Sequence, residues 1–211
     1  MDRLVHRDDG AGCERPVLVW RFDEPVRSIS SSVLGGGLGE IGWAFNAEVT
    51  IDYRHPDPAG HARAISQELG LRGRGVGLLT AAGVLDVVTA ADGEVTAAAT
   101  VGISTPAWAA APDGAFNRWS VGTINLICHV PAPLCDAALV NAAATVAEAK
   151  VQALFELEVA GTGTPSDAFV VTCLPGADEL YGGPRSEWGS RLARAVHEAV
   201  LLGGRAWLAM A

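Results

Sequence analysis

The sequence predicts an α+β fold, a single domain whose helices pack on mostly antiparallel sheets. Three observations predict it. The segments follow the order β-β-β-α-β-β-β-β-α-β-α, with strands in runs rather than in strict βαβ units. Residues 43–53 place Trp43, Phe45, Val49, Ile51 and Tyr53 in alternation with Asn46, Glu48, Thr50 and Asp52. That period of two is expected of an antiparallel strand with one packed and one polar face. Near the C-terminus, Trp188, Leu192, Ala195, Val196, Ala199 and Val200 recur at helical spacing as an apolar stripe.

The other elements follow in order. Residues 1–15 are polar and acidic and read as a loose arm, leaving 16–211 as the domain. "PVLVWRF" (16–22) is a strand, and "EPVRSISSSVLGGGLGE" leads to the strand at 43–53. In "HPDPAGHARAISQELG" Asp57 is suited to cap a helix, Pro58 to open it and Gly70 to end it. "GVGLLTA", "GVLDVVTA" and "EVTAAATVGIS" are strands, with "AADGEV" a hairpin turn. Residues 105–120 carry no period. A strand at 121–130, a helix at 134–158 and a doubly covered strand at 167–174 follow. The last helix starts at Ser186 and is expected to stop at Gly203-Gly204.

Composition excludes several classes of function. The chain has 211 residues, 49% of them hydrophobic, and a mean hydropathy of +0.25. These values suit one compact domain. No apolar run reaches the ~20 residues of a membrane helix, and the N-terminus lacks an apolar export core. Membrane partners are therefore not expected, and the cytoplasm is the expected compartment. A net charge of −9 argues against nucleic acid, which needs a basic face. The four cysteines are scattered, so neither a disulfide framework nor a metal cluster is expected, and Cys128 and Cys173 read as buried thiols.

Several stretches bear on chemistry. "GLGEIG" (37–42) matches the spacing of a dinucleotide-binding glycine loop but leads into a strand, where the pyrophosphate motif needs a helix N-terminus. It reads instead as a turn, or as a loop bringing backbone close to a ligand. His55, Asp57 and His61 could suggest metal ligands, but Asp57 is already used as a cap, so a structural role is expected. His6 and His197 read as surface residues.

In "VGTINLICHVPAPL" (121–134), Ile124, Leu126, Cys128 and Val130 share one strand face, while Thr123, Asn125, Ile127 and His129 share the other. The second face is either a solvated surface or a working one. At ~3.3 Å per residue, Thr123 and Asn125 are roughly 7 Å apart, and His129 is about 20 Å from Thr123, too far to be its base. Lys150, the chain's single lysine, falls among Leu139, Ala143, Val146 and Leu154 on a helical wheel. There it either snorkels or meets a partner, because an unpaired buried ammonium is costly. "GTGTPSDAF" (161–169) clusters Thr162, Thr164, Ser166 and Asp167, either as a helix stop and turn or as groups able to hold an amide or its oxyanion.

Together "EPVRSISSSVLGGGLGE", "WAFNAEVTIDYRHPDP", "GVGLLTAA", "GTINLICHVPAPL", "ALVNAAATVAEAKVQAL", "GTGTPSDAFVV" and "GGPRSEWGSRLARAVHEAV" resemble the adenosylcobinamide amidohydrolase (CbiZ) family over roughly residues 24–204. Cys135 stands where a serine is expected. The resemblance implies hydrolysis of the amide joining aminopropanol to the corrin ring, with adenosylcobyric acid as product and a corrinoid as the small-molecule partner. No cofactor and no metal-binding residues are assigned, the sequence does not show whether a metal assists, and the reading is compatible with a homo-oligomer. A fainter likeness to DmpA-type aminopeptidases and ornithine acetyltransferases implies an αββα four-layer sandwich, with cleavage before Thr123 as an alternative chemistry. A non-catalytic corrinoid-binding protein is a second alternative. In the leading reading Thr123, Asn125, Lys150 and Asp167 are the catalytic candidates. Ser31, Gly36, Gly37, Asn46, Thr162, Thr164 and Ser166 are the substrate-binding candidates.

Overall fold

The computed structural model describes residues 1–7, 13–115 and 122–210. Val121, residues 8–12 of the expected arm and residues 116–120 of the expected loop lie outside the described residues. Eight strands run β1 (Asp2–Arg7), β2 (Glu14–Ser30), β3 (Gly37–Glu48), β4 (Gly75–Thr80), β5 (Val88–Asp92), β6 (Val95–Gly102), β7 (Thr123–Val130) and β8 (Ala168–Cys173). Three helices, α1 (Pro58–Glu68), α2 (Asp136–Glu156) and α3 (Glu187–Met210), complete the described elements beside one short 3₁₀ turn. The strands form one mixed sheet in the order β4-β3-β2-β8-β7-β6-β5, with β1 also paired to β2. Among the described strands, only β3–β4 and β7–β8 are parallel pairs.

The long strand β2 makes the architecture. Its first part pairs with β1 and its last four residues pair with β8. Between them the five-residue step from Arg21 to Val26 is matched by a two-residue step from Trp43 to Ile41 on β3. Pro25 sits inside this irregularity, the place in a sheet where a residue without an N–H is tolerated. The sheet folds back on itself there, and its two halves face each other. Val26, Ile41, Ala44, Val76, Leu78, Ile127 and Val170 form the core between the halves. Outside one half, Val17, Val19, Trp43, Phe45 and Ala47 pack with Ala62 and Ile65 of α1. Outside the other, Ile124, Leu126, Cys128 and Val130 pack with α2 and α3. The layer order is therefore helix, sheet, sheet, helix pair, the α+β sandwich expected.

Local signals account for most boundaries. Asp57 accepts the Gly60 N–H at 2.8 Å and Pro58 opens α1. Gly70, with φ of 65°, follows its end. Gly93 (φ 61°) lies in the two-residue turn between Asp92 and Val95. The Cys135 thiol accepts the Ala138 N–H and caps α2, a job a serine hydroxyl does equally well. Cys128 and Cys173 are buried, and burial pushes the Cys128 thiol up to about 12.

Other expectations are corrected. Residues 2–7 are an edge strand, not a loose arm, because Leu4 and His6 point inward at a period of two. His6 is fully buried, and its Nε2 lies 2.8 Å from the Glu48 carbonyl. The strand read at 43–53 begins at Gly37, so "GLGEIG" is strand, and it ends at Glu48, leaving Ile51 exposed. Both faces of β3 are covered, not one, because the second half-sheet takes the face on which water was expected. The final helix runs through Gly203-Gly204 to Met210. Those glycines serve close packing, since a Cβ on Gly204 would lie 2.3 Å from Leu157.

Gly189, in the first turn of α3, faces the backbone of the preceding loop. A Cβ there would sit 2.0 Å from the Gly183 carbonyl oxygen. Helix propensity alone makes Gly→Ala favourable by roughly 1 kcal/mol. Gly189→Ala is instead expected to destabilise by about 1–3 kcal/mol through overpacking. Thermal melting checks the sign: the midpoint falls.

Candidate active site

Strands β7 and β8 are parallel neighbours that begin at the same edge, with Asn125 beside Ala168. The segment entering β8, residues 161–167, therefore lies against the first residues of β7. Asp167 joins the two. Its Oδ1 accepts the Ile124 N–H at 2.8 Å and lies 2.5 Å from the Thr164 hydroxyl. Its Oδ2 accepts the Thr164 N–H at 3.0 Å and the Lys150 ammonium at 2.5 Å. Lys150 reaches it from the inner arc of α2, and the two side chains are only 15% and 12% exposed. Of the two readings of Lys150, the structure gives the partner.

A second set of bonds surrounds the Gly122 carbonyl. The Thr164 hydroxyl lies 2.5 Å from it, and the Ser166 hydroxyl donates to it at 2.9 Å. Ser166 then has its lone pairs free to accept from the Thr123 hydroxyl, 2.8 Å away. Thr123 is only 2% exposed, whereas Ser166 is exposed. The pair thus presents one hydroxyl outward with the other directly behind it.

Asn125 lies on the same face as Thr123 and belongs to an inter-sheet network. Its Nδ2 donates to Asn46 Oδ1 at 2.8 Å and to the Leu79 carbonyl at 3.0 Å. Asn46 Nδ2 in turn donates to the Thr100 hydroxyl at 2.9 Å. Both Asn125 protons are committed, so its Oδ1 is left as a buried acceptor without a partner among the described residues. An orphan of this kind costs about 1–3 kcal/mol and marks a group held in one orientation. The face of β7 expected to be either solvated or working is thus not solvated: Thr123, Asn125 and Ile127 are buried between the sheets.

The structure links Thr123, Ser166, Thr164, Asp167 and Lys150 through side-chain bonds and the shared Gly122 carbonyl, while Asn125 and Asn46 form a separate network with Thr100. Thr162 faces elsewhere: its hydroxyl accepts the Ala109 N–H at 2.9 Å and holds the 105–111 loop. Ser31 pairs with Phe169 just after Asp167, its Oγ accepting the Phe169 N–H at 3.1 Å. Gly36 and Gly37 are exposed beyond it. Sequence reasoning missed Thr100 and the Gly122 carbonyl. Only the cross-strand register, which sets Thr100 opposite Asn125, reveals the first.

His129 lies at the far end of β7. The Thr172 hydroxyl donates to the Cys128 carbonyl, so it accepts from His129 Nδ1–H, at 3.0 Å. Burial holds the imidazole below its ordinary value. The unfolded chain therefore binds the proton more readily, and stability is lost as pH falls below about 6.5. Melting midpoints of wild type and His129→Gln measured from pH 7.5 to 5 check this: the wild-type midpoint drops more steeply.

Comparison with known proteins places the chain in a family. A family model described as adenosylcobinamide amidohydrolase, CbiZ, matches residues 1–211. An adenosylcobinamide amidohydrolase of Methanosarcina mazei is 30% identical over 183 residues, covering 82% of this chain and 88% of that protein. One of Halobacterium salinarum is 43% identical over 115 residues, 51% of this chain and 49% of that protein. The segments that build the site, from β7 through α2 to the start of β8, thus belong to a member of the CbiZ family of amide-bond hydrolases.

Proposed function

We propose that this chain hydrolyses the amide joining aminopropanol to a propionate arm of adenosylcobinamide, releasing aminopropanol and adenosylcobyric acid for cobamide salvage. The observation that carries the reading is the convergence of the Thr123–Ser166 hydroxyl pair with the Lys150–Asp167 ion pair at one strand edge. Family membership supplies the substrate class.

The chemistry follows from these groups. A hydroxyl oxygen of the pair bonds to the amide carbonyl carbon, and its proton passes to the nitrogen. The C–N bond breaks and the amine leaves. Water then cleaves the ester, leaving its OH on the carboxyl group and returning a proton to the hydroxyl. Lys150, fixed by Asp167, places positive charge where the oxyanion develops. The fixed Asn125 Oδ1 accepts an N–H of the amide or the leaving amine. Thr164 keeps Asp167 in place through its N–H and hydroxyl, and Ser166 holds the Gly122 carbonyl. Asn46 keeps Asn125 in its orientation. The exposed 30–37 loop, with Ser31, Gly36 and Gly37, contacts the macrocycle or its amides.

Incubation of the purified chain with adenosylcobinamide, with cobyric acid as the readout, tests the reading. Thr123→Ala and Ser166→Ala are each expected to lower turnover about 100-fold or more, with Thr123→Ser retaining most of it. Full activity in both alanine variants removes the hydroxyl pair. Binding without product from wild type leaves a corrinoid carrier in its place. Intact mass decides the self-processing alternative: active protein at the full 21.8 kDa has not been cut before Thr123.

A further inference from the structure

Trp108 is a large aromatic residue left 56% exposed, and it is held immediately beside the site. The preceding residue, Ala107, forms an antiparallel bridge to Gly163. Ala107 N–H donates to the Gly163 carbonyl at 2.8 Å, and Thr162 N–H donates to the Ala107 carbonyl at 2.8 Å. The Thr162 hydroxyl takes the Ala109 N–H on the other side of Trp108, and Ala111 N–H closes a turn onto the Trp108 carbonyl at 3.1 Å. The backbone on either side of the indole is therefore fastened to the same segment that carries Thr164, Ser166 and Asp167.

The glycines of "GTG" (161–163) are what this fastening requires. A Cβ on Gly161 would lie 2.8 Å from Ala107 N and 2.9 Å from its carbonyl oxygen. A Cβ on Gly163 would enter the ion pair, 2.4 Å from Asp167 Oδ2 and 2.6 Å from Lys150 Nζ. One glycine admits the Trp108 loop and the other admits the Lys150–Asp167 pair. The two features are thus built onto three consecutive residues.

We infer that Trp108 is a substrate-binding residue, a platform against which the flat face of the corrin macrocycle packs while its amide arm reaches the Thr123–Ser166 pair. This inference rests on the proposed function. The physical basis is the fit between partners: an exposed indole offers a rigid apolar face at low conformational cost, and the macrocycle is a broad conjugated surface too large for the buried part of the site. The fixed backbone lowers the ordering cost of that contact.

The test measures kcat, KM and equilibrium binding of adenosylcobinamide for wild type, Trp108→Ala and Trp108→Phe, with melting midpoints to establish that each is folded. Trp108→Ala is expected to raise KM and the dissociation constant about tenfold, the scale of one aromatic stacking contact, while kcat changes far less, and Trp108→Phe to recover most of the loss. Unchanged KM and binding in Trp108→Ala overturn the inference, as does a loss confined to kcat. Wild-type binding that depends on Trp108 without any product sustains the platform and refutes amide hydrolysis. A wild type that neither binds nor cleaves refutes both.

Discussion

The site depends on the Asp167 carboxylate being fully bonded. A carboxylate offers about four acceptor positions, and four donors occupy them: two backbone N–H groups, one hydroxyl and one ammonium. A nearly buried ion pair is tolerated only when its remaining capacity is met in this way. The four donors come from three places: Ile124 is the second residue of β7, Thr164, which supplies both an N–H and a hydroxyl, belongs to the incoming loop, and Lys150 stands on α2. The carboxylate therefore sets where α2 lies against the strand edge, and it sets the path of 161–167 into β8. The Gly122 carbonyl, held by the Ser166 hydroxyl of that loop, extends the same fastening by one residue.

A second constraint acts between the half-sheets. Most of that layer is apolar, but at one end it holds Asn46 from one half and Thr100 and Asn125 from the other. Buried amides bonded across an interface fix one relative placement, because any shift leaves unpaired polar atoms. The 30–37 loop grows from β2 and β3, whereas Thr123 and Asp167 belong to β7 and β8. Their relation is set from both sides, by the Ser31–Phe169 backbone pairing and by this amide network.

Much of this was legible in the residues. The alternation in 121–130 assigns the correct side chains to each face, and the Lys150 position on an apolar arc leaves two outcomes, snorkelling or a partner, of which the fold supplies the partner. The dense donors of 161–167 likewise mark the segment that meets β7. What the residues did not reveal has one physical origin: period-two patterns show which side chains share a face, not what covers it. The face of Thr123 and Asn125 read as solvated or working because the second half-sheet is invisible locally. The same ignorance extended β3 past Glu48, where Ile51 kept the alternation without any layer to pack on. At Gly203-Gly204 a helix stop was expected from residue type, whereas tertiary contact with Leu157 demands the missing Cβ. Asp57 and Ser186 were read correctly because caps act within their own turn.

Burial divides the candidate site into two parts. Thr123, Asn125, Asn46 and Thr100 are at most 2% exposed and oriented by one another, so they reorganise little when charge develops. Ser166, Ser31 and Trp108 are exposed. In the proposed function, a macrocycle too bulky to enter the first group rests on the outer residues, and its amide arm approaches the inner ones past Ser166. That proposal assigns recognition of the ring and attack on the amide to different residues. It also gives a role to the loops that carry the outer residues, fastened to the inner site by backbone bonds: a platform that drifted by even an ångström would misplace the bond to be broken.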